Sequence, residues 1–136
     1  MGGCAGGGGF GGTKGSGLYH QYSGNLLKVN NPDVNADKLA QRIKGESSVK
    51  FENDPNGKEF DTVSDKYIAE TKPALKTLNT RVRKQMKAAF EAAKATGRSV
   101  YYHFDGQPDK SVTDKLYEYS TRYDVKLIID TVPFRK

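Results

Sequence analysis

Tryptophan is absent from this 136-residue chain, and cysteine occurs once, as Cys4. A lone cysteine forms no internal disulfide and leaves a cysteine-based zinc site without a ligand set. The fold therefore needs no oxidising compartment. No apolar run approaches the roughly 18 residues of a membrane-spanning helix. The N-terminus lacks the compact apolar core of a secretory signal peptide, so nothing in it directs its own export. Ser and Cys nucleophile motifs are missing. So is a phosphate-binding P-loop: the stretch GGGGFGG does not end in Gly-Lys-Ser/Thr, and no clear strand precedes it. His20 and His103 are the only histidines, a thin basis for metal-free acid–base cleavage of RNA. His103, set in an apolar run, reads as structural, and His20 lies at the margin of a glycine-rich segment.

What the chain does have is positive charge. Lys and Arg outnumber Asp and Glu 22 to 16, a net charge of +6 that favours polyanionic partners, nucleic acid first. Residues 1–24 hold most of the glycines and bury little, and they read as a flexible linker. Residues 25–136 are long enough for one domain with one modest core.

Within that domain the pattern predicts the order α-β-β-β-α-β-α-β. Asn31-Pro32-Asp33 is a turn, and Asp33 or Asn35 caps a helix to about Lys44 that Gly45 ends. Val49 and Phe51 alternate in a first strand, and Asn53-Asp54-Pro55-Asn56-Gly57 turns the chain back. Leu75 to Thr96 carries apolar residues at spacings of three and four, with Arg83, Lys84, Lys87 and Lys94 on the far side. Ser99–Phe104 is dense in β-formers. A further helix to about Tyr123 and a strand over Val125–Ile129 complete the series.

The candidate chemistry lies between Glu59 and Ala74. A strand with Asp61 turns through Ser64-Asp65-Lys66 into a strand with Glu70 and Lys72, which Pro73 ends. Side chains alternate across a strand, so Glu70 and Lys72 share a face with Ile68, while Tyr67, Ala69 and Thr71 take the other. If Asp61 points the same way, two carboxylates and one ammonium converge. Hard divalent ions such as Mg2+ take oxygen ligands and keep several waters, so two carboxylates plus a carbonyl suffice. Such an ion activates water and stabilises a phosphoryl oxygen, with Lys72 serving the water or the developing charge. Glu46, just past the first helix, is the candidate third acid. A surface ion pair on a strand is the plain alternative.

Helix, meander carrying Asp and then Glu-x-Lys, helix and strand resemble the PD-(D/E)XK restriction-endonuclease-like fold, an α/β (α+β) core with a mixed central sheet flanked by helices. KFENDPNGKEFD (50–61), YIAETKPA (67–74), GRSVYYHF (97–104) and IDTVPF (129–134) resemble the restriction-endonuclease-fold toxin domains more closely. These domains end bacterial polymorphic toxins, including contact-dependent growth inhibition (CdiA) effectors. Phe60 stands where that motif usually has proline. The resemblance implies that Asp61 and Glu70 are the motif acids and metal ligands, Lys72 its lysine, and Glu46 the acid supplied by the first helix. It implies a nuclease acting on tRNA, or else DNA, with Arg81, Arg83, Lys84 and Lys87 gripping phosphates. It also implies a cognate immunity protein and release as part of a larger secreted surface effector that acts in the cytoplasm of the target bacterium. The glycine-rich segment would then join the toxin to its delivery part. A non-catalytic nucleic-acid-binding module is the third class of reading.

Overall fold

The structure, a computed structural model, describes residues 19–134 together with a minimal pairing of Gly3–Cys4 with Gly6–Gly7 outside the main sheet. The order is β1 (Leu26–Lys28), α1 (Val34–Ile43), β2 (Glu46–Phe51), β3 (Glu59–Val63), β4 (Tyr67–Pro73), α2 (Thr80–Thr96), β5 (Ser99–Asp105), α3 (Lys110–Tyr123) and β6 (Leu127–Asp130). The six strands form one mixed sheet in chain order. Neighbours from β1 to β4 are antiparallel, and β4, β5 and β6 run parallel. This is the α/β restriction-endonuclease-like architecture that the motif order predicts.

Two layers of helix enclose the sheet. α1 packs on β2, β3 and β4, where Thr62 Oγ1 donates to the Ala36 carbonyl at 3.0 Å. On the other face Ile68, Val100, Tyr102 and Phe104 join Met86 and Phe90 of α2 and Leu116 of α3 in the main core. Alternation therefore puts Glu70 and Lys72 on the α2 side with Ile68, and Ala69 and Thr71 on the α1 side.

Helix ends follow side-chain capping. Asp33, Asn79 and Asp109 each accept from backbone N–H groups of the first turn, as N-cap carboxylates and amides do. Gly97 ends α2 in the left-handed region, φ +68°, as its position predicts. Gly45 has a different job from the one expected. Lys44 takes the left-handed cap at φ +60°, whereas a Cβ on Gly45 would lie 2.7 Å from the Val63 carbonyl oxygen. The glycine lets α1 turn closely into β2.

Four boundaries differ from expectation. β1 was not foreseen; it is three residues long, too short to show a period. α2 starts at Thr80 rather than Leu75, because Asn79 supplies the cap and residues 74–79 form a connection from which Leu75 and Leu78 still reach the core. The last strand is Leu127–Asp130, since Asp124 takes a left-handed cap and Val125 is used to close α3. Packing also extends before the domain boundary expected at residue 24: Tyr22 is buried against Phe51 and Phe60, with ring centroids 5.9 and 6.0 Å away. The rest of the expected 1–24 linker lies largely outside the described residues.

Candidate active site

β3 and β4 stay in ladder register for only two pairs, Thr62↔Ala69 and Val63↔Ile68. Beyond them the strands splay, and side chains replace the missing backbone partners. Glu70 Oε2 accepts from the Asp61 N–H at 3.0 Å, and Asp61 Oδ2 accepts from the Thr71 N–H at 2.9 Å. The two carboxyls are thereby interlocked in the gap between the strands. Asp61 Oδ1 and Glu70 Oε1 take no hydrogen bond among the described residues.

The electrostatics are those of an under-compensated acidic pair. Burial pushes Glu70 up to about 8, with repulsion from Asp61 adding to it; Lys72, the Asp61 N–H and Lys58 pull the other way. Asp61 is also raised, first by burial and further by Asp33, against the Thr71 hydrogen bond and the charges of Lys72 and Lys58. Lys72 acts on both carboxyls but makes no ion pair within 4 Å among the described residues. It is half-buried, one strand-repeat beyond Glu70, and remains free for another anion.

Asp61, Glu70 and Lys72 are therefore brought together as expected. Glu46 is not. It opens β2 as an exposed residue whose register partner is Val63, two positions past Asp61, and its charge bears on neither carboxyl. The acid that α1 turns toward the pair is its N-cap, Asp33. The turn signal at Asn31-Pro32-Asp33 located that residue but gave it only a capping role. Lys58 was also missed: it precedes β3 in a loop held by Asp54, whose carboxylate accepts from the N–H groups of Asn56 and Lys58. No group of three or more His, Cys, Asp and Glu residues is placed to share a metal among the described residues. The donors nonetheless fit one hard cation: a buried carboxyl, Glu70, and a half-buried one, Asp61, each with a free oxygen and set close enough that one charge penalises the other.

Arg81, Arg83, Lys84 and Lys87 all lie exposed on α2, which the connection 74–79 joins to the end of β4 that carries Lys72. None of the four is ion-paired among the described residues. Arg83, Lys84 and Lys87 share one side of the helix, while Arg81 faces nearly opposite to Arg83.

The histidines do not make a second site. His20 is exposed near the start of the described chain. His103 is fully buried on the α1 side, its Nδ1 2.7 Å from Thr71 Oγ1 and its Nε2 2.7 Å from the Val132 carbonyl, with Phe134 stacked on the ring. Both ring nitrogens are committed to holding the C-terminal strap. His103→Ala is expected to cost about 2–4 kcal/mol in urea unfolding, since it opens a cavity and removes the hydrogen bonds to Thr71 and Val132 together with the stacking on Phe134. Nuclease activity per folded molecule should survive; a catalytic His103 would give the opposite pattern.

With this geometry in view, the comparison with known families is unambiguous. The family described as restriction endonuclease fold toxin 3 matches residues 25–132. The chain belongs to that family, a class of nuclease-fold toxins. No curated protein and no solved structure matches it.

Proposed function

We propose that this domain is a toxin nuclease that hydrolyses phosphodiester bonds in the tRNA of target cells, with a divalent metal, most simply Mg2+, held by Asp61 and Glu70. The observation that carries the reading is the interlocked, mutually repelling carboxyl pair beside an unpaired lysine. A metal bound there supplies Lewis-acid polarisation of the phosphoryl oxygen and a water acidic enough to attack at neutral pH. Asp61 and Glu70 present the oxygens. Lys72 would neutralise the negative charge that builds on the phosphoryl oxygens as the water oxygen bonds to phosphorus and the P–O ester bond breaks, the leaving oxygen taking up a proton. The cations of α2 hold flanking phosphates and set the register of the backbone. We favour tRNA over DNA on the small basic domain and on the resemblance to toxin nucleases.

We further propose, on the resemblance to polymorphic toxin domains, delivery as part of a larger secreted effector such as CdiA, action in the cytoplasm of the target bacterium, and neutralisation by an immunity protein. An immunity protein would be acidic or would cover the carboxyl pair. No helix among the described residues is long and apolar enough to cross a membrane.

Incubating the protein with total tRNA and with plasmid, each with Mg2+ or with EDTA, tests the reading. Metal-dependent tRNA cleavage is the expected result. Plasmid cleavage alone would make the domain a DNase, EDTA-resistant cleavage would remove the metal, and salt-sensitive binding of intact substrate would leave a binding module. Neutralising any one of Arg81, Arg83, Lys84 or Lys87 should weaken binding across sequences and lower the slope of log K against log salt by about 1. An unchanged slope would place the phosphate contacts elsewhere.

A further inference from the structure

Tyr102 is completely buried, and its hydroxyl is the only side-chain polar atom among the described residues sealed from solvent without a hydrogen-bond partner. Leaving such a group unpaired costs about 1–3 kcal/mol, and phenylalanine would fill the same space without that cost. A retained orphan hydroxyl points to a partner that protein atoms do not provide, a water or an ion. Its position identifies the partner's site. Tyr102 is the register partner of Glu70 in the neighbouring parallel strand. Side chains at paired positions leave the sheet on one face, from strands about 5 Å apart. The charges of both Glu70 and Asp61 act on the Tyr102 hydroxyl. A buried water needs two to four polar partners. These neighbouring strands offer three: the Tyr102 hydroxyl and the free oxygens Asp61 Oδ1 and Glu70 Oε1.

We propose that Tyr102 is a positioning residue of the carboxyl site, its hydroxyl holding one buried water against the free oxygens of Asp61 and Glu70. Tyr102 donates to the water, and the water donates onward to Asp61 Oδ1 and, once Glu70 is ionised, to Glu70 Oε1. The water thereby fixes the orientation of both carboxyls, whose other oxygens are already tied to backbone N–H groups. Only the catalytic consequence rests on the nuclease reading; the water itself does not.

Tyr102→Phe tests this with two readouts. High-resolution crystal structures should show an ordered water within about 3.2 Å of the Tyr102 hydroxyl and of at least one carboxyl, and no such water in the variant. On cleaved substrate, kcat should fall about 10- to 100-fold with KM nearly unchanged and thermal stability undiminished, as expected for lost positioning. A dry hydroxyl in the wild type, a water that persists in the variant, or an unchanged kcat overturns the proposal. A wild type that cleaves nothing would sink the nuclease reading, while the water density would still decide this one.

Discussion

Asp61→Asn is expected to abolish cleavage, by about 10³-fold or more, in a protein that stays folded. The asparagine oxygen can still accept from the Thr71 N–H, so the interlock between β3 and β4 survives. What disappears is one of the two negative charges that draw in a cation. Metal catalysis contributes several kcal/mol to a barrier, and each 1.4 kcal/mol is about tenfold in rate. Lys72→Met should lower kcat by about 10²–10³, the usual loss when one preorganised charge stabiliser is removed. Steady-state kinetics alongside circular dichroism checks both. An Asp61→Asn protein that is folded and fully active would remove the carboxyl pair from the chemistry.

Glu70→Gln is expected to stabilise the fold while destroying its activity. The folded-state value of Glu70 is raised above the ordinary 4.5 to about 8. An acid raised in this way contributes its full stability below pH 4.5. That stability is lost as pH climbs from 4.5 toward 8, because the unfolded chain ionises freely while the folded one resists. At pH 7 the penalty amounts to as much as about 3 kcal/mol. Glutamine never ionises and still offers an oxygen to the Asp61 N–H. Thermal melts across pH should show wild-type stability falling between pH 4.5 and 8. The variant should fall less steeply, with the two curves converging in acid. Parallel curves would mean that Glu70 ionises without strain. Stability sacrificed at a working site, recovered when that site is disabled, is the usual trade between function and fold.

Much of this was legible in the sequence, and the reasons are local. Period-two alternation around Ile68, Glu70 and Lys72 put the acid and the lysine on one face. The capping signal at Asp33 marked where the first helix begins, whereas the Asn79 cap was hidden by the apolar spacing that starts at Leu75. What was not legible depended on three-dimensional approach. Gly45 resembles a helix terminator until the Val63 carbonyl comes close to it. Glu46, adjacent to the helix in sequence, enters the sheet one step out of reach, while Asp33 at the helix's other end turns toward Asp61. The splaying of β3 from β4 has no sequence period, because carboxyl side chains stand in for backbone carbonyls there. Tyr102 looked like one more aromatic in a β-rich run; only its register with Glu70 sets it apart.

The central claim is that two interlocked carboxyls form a cation site whose charge is held back by a proton on Glu70. Calorimetric titration of Mg2+ into the wild type and Asp61→Asn at pH 7, in buffers of different ionisation enthalpy, tests it most directly. The account predicts one binding event that expels close to one proton, with affinity rising about tenfold per pH unit below 8, and no such event in Asp61→Asn. Equal binding by both proteins, or binding without proton release, would contradict it.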